Sequence, residues 1–192
     1  MLSGISYENR RYSFKGGGVK STFSLHLAGA LAQKEPTLLV DADPQRSIMA
    51  VNRLKERGLH VSDSGSAQNV RRSVFKGGGF IVIDSPPRTD VIAKAVVAAS
   101  DIILVPITPG PFEVLAFDDL APLLKDVSKV RIVLNRTNQT AISKTMREAI
   151  EDYGFKVLQT EIPQLVDYQE SIMQRLGVTE YKPGSVAGSS GR

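Results

Sequence analysis

The sequence has 192 residues, of which 42% are hydrophobic and 23% charged, which is typical of a folded globular chain and excludes a disordered or collagen-like protein. It contains no cysteine, which excludes disulfides, thiolate metal sites, iron–sulfur clusters and cysteine nucleophiles. The formal net charge of +4 permits attraction to nucleic acid without demonstrating it, and the two histidines, His26 and His60, are expected at the surface or in packing rather than as metal ligands.

Short apolar runs alternate with amphipathic stretches along the chain. Strands are predicted at the runs rich in valine, isoleucine and leucine: residues 37–41, 79–84, 101–107, 129–135 and 155–160. Helices are predicted at residues 21–33, 89–99, 112–126 and 141–152, the last ending at Gly154, and residues 59–76 suit a short strand followed by a helix.

Apolar strands with little alternation are buried on both faces, as in parallel sheets covered by helices. The order of elements therefore predicts one α/β domain over residues 1–182, doubly wound, with a mainly parallel sheet flanked by helices. The Gly/Ser-rich residues 183–192 are expected to form a disordered tail.

No apolar run reaches the roughly 18 residues that a membrane span needs. The first eleven residues also lack the apolar core of a signal peptide. We therefore expect a soluble, cytoplasmic protein that does not bind a membrane.

A glycine-rich segment opens the first predicted helix. Glycines let backbone N–H groups point inward around phosphates, and the amino end of a helix adds its positive dipole. Lys20 is predicted to reach the β- and γ-phosphates of a nucleotide, and Ser21 to ligate Mg²⁺. Because glycine-rich loops with an incidental Lys-Ser pair are common, an ordinary loop remains the alternative for this segment alone. The nucleotide-binding residues predicted here are Lys15, Gly16, Gly17, Gly18, Val19, Lys20, Ser21 and Thr22.

Acidic residues end two of the apolar strands. Asp41 and Asp43 lie at the end of the first run, and Asp84 ends the run at 79–84. Ligands of open α/β sheets bind at the carboxyl ends of the strands, and an apolar strand ending in aspartate is typical of the residue that holds Mg²⁺ or one of its waters. The alternative for Asp43-Pro44 is a solvated turn, but three motifs in this order favour a nucleotide site over chance.

Together these motifs resemble the ParA/MinD family of P-loop ATPases. Residues 15–22 (KGGGVKST) are similar to the deviant Walker A motif KGGxGK[ST], DADPQ at 41–45 to the Walker A′ motif, and IDSPP at 83–87 to Walker B and switch II. The proline-rich segment at 105–111 and the segments around Asn135 and Pro163 resemble later motifs of the family, so the likeness covers residues 14–176. The short chain is most similar to the small partition ATPases of plasmids and chromosomes.

The resemblance implies a weak ATPase with ATP, ADP and Mg²⁺ as ligands. It implies that Lys15 reaches across a homodimer to the nucleotide of the second subunit, and that Lys20 and Asp43 complete the catalytic set, with Asp43 positioning the attacking water. Asp84 would hold Mg²⁺ through a water, beside Ser21, and Asp41 would support this arrangement.

The resemblance also implies further ligands and partners. Asn135 and Pro163 would lie beside the adenine. A homodimer formed on ATP would bind DNA non-specifically in the nucleoid, and a centromere-binding, ParB-like protein would stimulate hydrolysis. Basic clusters that could serve DNA, or be solvated helix faces instead, lie at residues 10–11, 53–57, 71–76 and 125–131.

Two features depart from the family pattern, and both flank the phosphate loop. The family has glycine directly before the second lysine, where this chain has Val19, preceded by Gly18. A Cβ beside the β-phosphate, or a left-handed backbone at valine, costs on the order of a few kcal/mol, so weakened ATP binding is expected. Residues 7–13 are polar and carry two arginines, which suits a buried central strand poorly, so the first strand is expected to be short and displaced, or structurally altered.

Three other functions stay open. Val19 suits a nucleotide-defective scaffold or DNA-binding module that keeps the fold. A MinD-like positioning ATPase should carry an amphipathic membrane helix after Ser171, but residues 183–192 offer no apolar face. An ATP-dependent amidotransferase or ligase of related fold would need a substrate domain that 192 residues do not provide.

Overall fold

The computed structural model describes residues 10–14, 20–51, 59–63, 78–85, 91–113, 117, 128–137 and 141–184. The strands within these ranges are β1 (Arg10–Phe14), β2 (Thr37–Asp41), β3 (Leu59–Asp63), β4 (Phe80–Asp84), β5 (Ile102–Ile107), β6 (Val130–Thr137), β7 (Lys156–Val157) and β8 (Ile162–Pro163). The helices are α1 (Lys20–Ala32), α2 (Ser47–Val51), α3 (Val91–Ala99), α4 (Ala141–Asp152), α5 (Asp167–Met173) and α6 (Val178–Tyr181).

The described strands form a parallel sheet in the order β3-β2-β4-β1-β5-β6-β7, and β8 pairs with β6. β1 is central, with β2, β3 and β4 on one side and β5, β6 and β7 on the other, as in a doubly wound α/β sheet. This confirms the fold class predicted from the alternation of apolar runs and helical stretches.

Most predicted elements lie close to their predicted bounds. The apolar runs became β2, β4, β5 and β6, and α4 spans the predicted 141–152. Gly154 ends α4 with a positive φ of 82° and donates its N–H to Glu151 O over 2.8 Å, so it is the C-cap that the sequence predicted. The run at 155–160 forms only the two-residue β7, which is shorter than expected.

Several predicted segments lie partly outside the described residues. Residues 59–63 form the predicted strand β3, whereas the helix predicted after it lies outside. Residues 111–113 and 117 are helical, but the rest of the helix predicted at 112–126 is not described. Residues 185–192 also lie outside, so the disordered tail stays a prediction.

The first strand differs from its expectation. β1 has only five residues, as expected for a short strand, but the displacement expected for it is wrong, because it occupies the centre of the sheet. Tyr12 is in register with Val82 on one side and with Ile102 on the other. Pairing of the backbone along both edges therefore places this segment despite its polar side-chain pattern.

The two faces of the sheet pack against different helices. Val82 joins Leu25 of α1 in one buried cluster, whereas its neighbours Ile81 and Ile83 join Val96 of α3 on the opposite face. Strands of this kind are buried on both faces, as the unbroken apolar runs predicted. Within the described ranges, no helix combines the length and the apolar character required to cross a membrane.

Candidate functional site

The candidate site lies where the central strands end and α1 begins. The register of β2 and β4 pairs Asp41 with Asp84, so the two acidic strand ends are neighbours at the carboxyl edge of the sheet. β1 ends between β4 and β5, and α1 begins at Lys20. The chain therefore brings two carboxylates and the positive end of a helix to one place.

Asp84 is bound by the first turns of α1. The hydroxyl of Ser21 donates to Asp84 Oδ2 over 2.6 Å, and the hydroxyl of Ser24 donates to Oδ1 over 3.0 Å. Asp84 has no solvent exposure and Lys20 only 5%. Burial raises the pKa of Asp84 to about 6, although the two hydroxyl donors and the charge of Lys20 act in the opposite direction. The carboxylate is thus desolvated and only partly compensated by its neighbours.

Asp41 organises the turn that follows β2. Its Oδ2 accepts the backbone N–H groups of Ile48 and Met49, each over 3.1 Å, and its Oδ1 accepts that of Asp43 over 3.3 Å. Burial raises the pKa of Asp41 above its ordinary value, more than these donors lower it. Both oxygens serve the backbone, so Asp41 fixes the position of Asp43 rather than facing a ligand itself.

Asp43 is buried at the edge of this turn. Its Oδ1 accepts the N–H of Gln45 over 2.9 Å, and its backbone oxygen accepts that of Arg46, a residue with a positive φ of 51°. The turn is therefore a tightly bonded loop that holds a carboxylate two residues beyond the strand end. The sequence left a solvated turn as the alternative for Asp43-Pro44. That description applies only to the exposed residues of the turn, which begin at Pro44, and not to Asp43.

A cavity of about 200 Å³ lies along α1, next to this acidic edge. Its walls come from α1, the end of β6, the segment around β8, and helices α5 and α6. Asn135, which is 5% exposed, and Pro163 both line it, as does Thr22, the neighbour of Ser21. The other lining residues are Phe23, His26, Leu27, Arg136, Ile162, Gln164, Leu165, Tyr168, Gln169 and Val178.

A bulge in β6 shapes the wall of the cavity at Asn135. The register of β6 and β8 shifts between Asn135, which pairs with Ile162, and Thr137, which pairs with Pro163. Arg136, the residue between them, has a positive φ of 57°, a left-handed conformation that is costly for a residue with a Cβ. Bulges of this kind redirect side chains beside functional sites.

The structure brings together most of the residues singled out in the sequence. Lys20, Ser21 and Asp84 are in one cluster, Asp41 and Asp43 lie beside it, and Thr22, Asn135 and Pro163 line the adjoining cavity. The loop itself, Lys15, Gly16, Gly17, Gly18 and Val19, lies outside the described residues.

Sequence reasoning missed two residues of the site. Ser24 is three residues after Ser21, so the two hydroxyls share one face of α1, and this spacing was a usable signal. His26 was expected only at the surface or in packing. It is buried and packs against α5 and α6, which confirms the packing interpretation, but its position beside the cavity had no signal in the sequence.

The donor set at the acidic edge suits magnesium. The described residues hold no cluster of three or more histidine, cysteine or acidic side chains that could bind a metal by themselves. Ser21 and Asp84 instead supply two neighbouring oxygens, and Mg²⁺ commonly takes only one or two protein ligands, with phosphates and waters as the rest. The residues therefore fit a magnesium ion that arrives with a phosphate ligand.

Residues 12–178 match the model of the family described as the CobQ/CobB/MinD/ParA nucleotide binding domain. The chain belongs to this family. The resemblance proposed from the phosphate loop, the acidic strand ends and the later motifs is thereby confirmed, and ParA/MinD proteins are P-loop ATPases.

Curated relatives within this family differ in their named roles. A maintenance of carboxysome distribution protein A from Gloeobacter kilaueensis is 29% identical over 185 residues, covering 88% of this chain and 82% of the relative. A virulence plasmid ParA family protein from Chlamydia psittaci is 23% identical over 226 residues, covering 91% and 87%.

Solved structures support the same fold. A ParA family ATPase from Chlorobium tepidum superposes with a TM-score of 0.72 at 19% identity and covers 97% of both chains. The septum site-determining protein MinD from Pyrococcus horikoshii, complexed with Mg-ADP, gives a TM-score of 0.72 at 16% identity, covering 95% of this chain and 93% of that one. Likeness at this level of identity establishes the fold alone.

Proposed function

We propose that this protein is an ATP-dependent partition ATPase, which dimerises on ATP, binds DNA non-specifically and positions a cargo along it. The observation that carries the proposal is the contact of Ser21 with the buried Asp84, 2.6 Å apart, beside the buried Lys20 and on the helix whose Thr22 lines the cavity together with Asn135. One helix would therefore carry the phosphate–magnesium site and a wall of the base site.

Each residue at the phosphate end of the site, which comprises Lys20, Ser21 and Asp84, would have its own role. Lys20, at the first position of α1, would contact the β- and γ-phosphates, and the helix dipole favours the same negative charge. Ser21 and Asp84 would hold Mg²⁺, with Asp84 acting partly through a water. When bound, Mg²⁺ neutralises charge that develops on the transferred phosphoryl group.

Hydrolysis would depend on Asp43 and on Lys15 of the second subunit. Asp43 would orient the attacking water, and the three backbone donors to Asp41 keep the turn that carries it in place. Replacing Asp43 by alanine should therefore slow hydrolysis while ATP affinity stays within about threefold, because the carboxylate contacts water and not phosphate. Loss of ATP binding in a folded Asp43→Ala protein would assign the residue to another role.

The cavity is suited to an adenine base. Its walls are mainly apolar, and the buried amide of Asn135 can both donate and accept a hydrogen bond at the edge of a base. Pro163 would contact the face of the ring. A volume of about 200 Å³ suits the base alone, so the sugar and phosphates would extend toward Ser21.

The proposed cargo and partners come from the family. The Chlamydia psittaci relative is named for a plasmid, which supports DNA segregation with a centromere-binding, ParB-like protein that stimulates hydrolysis. The Gloeobacter kilaueensis relative is named for carboxysome distribution, which supports a protein assembly as the cargo of the same switch. The MinD alternative is supported by the fold of the Pyrococcus horikoshii protein, and a nucleotide-defective scaffold by Val19.

Calorimetry of ATP binding with and without Mg²⁺ tests the core of the proposal. We expect binding in both conditions, tighter with Mg²⁺, and no gain from Mg²⁺ in Asp84→Asn, which keeps the shape of the side chain without its charge. Absence of ATP binding under all conditions would favour the scaffold.

Mobility shifts on unrelated DNA fragments test the proposed ATP-dependent, non-specific binding of DNA. ATP should strengthen binding, and the affinity should fall steeply with salt because a dimer makes twice the phosphate contacts of a monomer. Equal DNA affinity with ATP, with ADP and without nucleotide would contradict the switch. Binding to anionic vesicles in place of DNA would favour the MinD alternative.

A further inference from the structure

His26 is a buried, doubly bonded side chain in the middle of α1. It is 7% exposed, and its ring packs against Tyr168 of α5 with centroids 5.3 Å apart. The imidazole Nε2 lies 3.1 Å from Tyr168 O, and the backbone N–H of Val178, the first residue of α6, donates to Nδ1 over 3.2 Å. One side chain thus connects the phosphate-binding helix to both C-terminal helices.

The contacts fix the protonation state of this histidine. A backbone N–H can only donate, so Nδ1 must be the unprotonated acceptor, and the proton must lie on Nε2, facing the Tyr168 carbonyl. Burial lowers the pKa of His26 to about 4, in keeping with a neutral ring. Both nitrogens therefore form hydrogen bonds within the protein, and neither is available to a ligand.

The two helices held by His26 are also bonded to each other. Lys182 forms an ion pair with Asp167 at 2.5 Å, and the Tyr181 hydroxyl donates to Glu170 Oε2 over 3.0 Å. We call residues 167–182 the α5–α6 unit. These bonds join the two helices to each other, and His26 bonds to both of them from α1.

The α5–α6 unit is a wall of the cavity. Tyr168, Gln169 and Val178 line it from this unit, and Thr22, Phe23 and His26 line it from α1. A shift of the unit away from α1 would open the cavity but would leave Lys20, Ser21 and Asp84 in place, because within the described ranges Ser21 and Asp84 are bonded to α1, β4 and the end of β2 and not to the unit.

We propose that His26 is a positioning residue, which sets the width of the base cavity by clamping the α5–α6 unit onto α1. The inference rests on the proposed function, since it assumes that the cavity receives the base of ATP. It predicts that changes at His26 weaken recognition of the base without weakening recognition of the phosphates.

Binding of ATP and of inorganic tripolyphosphate, each with Mg²⁺, separates the two ends of the site. In His26→Asn the amide oxygen can replace Nδ1 and keep the bond to Val178, whereas in His26→Gln the amide nitrogen can replace Nε2 and keep the bond to Tyr168. Each variant loses one bond. We expect each to weaken ATP by roughly 5- to 20-fold, with tripolyphosphate affinity within about twofold of wild type.

His60→Gln, at the exposed histidine of β3, is the matched control and should change neither affinity. ATP affinity equal to wild type in both His26 variants would overturn the clamp. Equal losses of ATP and tripolyphosphate would also overturn it, since they would reflect a general change in α1. Wild-type protein that binds tripolyphosphate but not ATP would remove the proposed base site, and with it this inference.

Amide hydrogen exchange of the wild-type protein gives a test that does not depend on variants that fold. The Val178 amide, which His26 accepts, should exchange at least about threefold more slowly with ATP bound, because a filled cavity disfavours opening of the unit. Tripolyphosphate should leave the exchange rate unchanged. Equal slowing by both ligands, or slowing by neither, would contradict the proposal.

Discussion

Helix α1 contacts the desolvated carboxylate of Asp84 at its amino end. Less than two turns later it carries the neutral imidazole of His26, in which both nitrogens have hydrogen-bond partners. At Asp84, burial raises the pKa to about 6, and two serine hydroxyls and Lys20 compensate only part of the loss of water. At His26, both nitrogens have backbone partners, and the neutral form costs little to bury.

The difference separates two ways of building a binding site. The phosphate end holds buried charge that a magnesium ion and phosphates would complete, so a ligand changes its electrostatics. At the cavity end, where His26 lies, both imidazole nitrogens already have hydrogen-bond partners without a ligand. A base would therefore have only to fit the shape of the cavity. The first end should respond strongly to charge substitutions, and the second to substitutions that change shape.

The largest expected effect lies at the phosphate end. Lys20→Ala should weaken ATP binding at least about 100-fold, because it removes the buried cation that we propose to contact the phosphates. The matched control is Lys34→Ala, an exposed lysine just after α1, which should leave affinity unchanged. Calorimetry decides between them, and equal affinity of both variants with wild type would show that the phosphates bind elsewhere.

His26 should contribute to the acid sensitivity of the fold. Because the pKa of His26 is lowered to about 4, the unfolded chain takes up the proton first as pH falls, and the stability from the neutral ring is present above about pH 6.5 and lost toward pH 4. The difference in unfolding free energy between wild type and His26→Gln should therefore shrink by on the order of 3 kcal/mol over this range.

Urea unfolding at several pH values measures this difference. The carboxylates of Asp167 and Glu170 on the α5–α6 unit are present in both proteins, so the comparison isolates the contribution of His26. A difference between wild type and His26→Gln that stays constant with pH would mean that the ring is not held in its neutral form.

Exchanging Gly18 and Val19, which directly precede Lys20, should change ATP affinity by an intermediate amount. If the loop follows the path usual in the family, exchanging the two residues should tighten ATP by roughly 10- to 100-fold, or about 1.4–2.8 kcal/mol, since the residue beside the β-phosphate would then lack a Cβ. The exchange keeps composition and charge. Unchanged affinity would mean that Gly18 already provides the position without a Cβ. Weaker binding would mean that the observed order of the two residues favours ATP binding.

The smallest expected effect concerns the bulge at the cavity. Arg136→Gly should stabilise the nucleotide-free protein by about 1 kcal/mol, because glycine accepts a φ of 57° without strain. Arg175, with a φ of 60° after α5, is a control away from the bulge, and Arg175→Gly should give a similar gain. Thermal unfolding measures both, and destabilisation at Arg136 alone would show that its side chain supports the cavity wall.

The sequence singled out Lys20, Ser21 and Asp84 at the phosphate end, and the family resemblance singled out Asn135 and Pro163 at the cavity, but neither indicated that His26 lies in the cavity wall. Lys20, Ser21 and Asp84 belong to local motifs at strand and helix ends, whose chemistry can be recognised in a few residues. The position of β1 and the partners of His26 depend on tertiary contacts instead. Tyr12 becomes central only through backbone pairing with β4 and β5, and a lone histidine gives no signal of the helices that pack against it.

The His26–Val178 bond also has a consequence for synthesis. The two residues are 152 positions apart, whereas Ser21 and Asp84 are separated by only 63. A chain emerging from the ribosome from its amino end can therefore assemble the acidic edge well before the partner of His26 exists. The wall of the cavity is the last part of this site to be made, because it cannot close before Val178 has been translated.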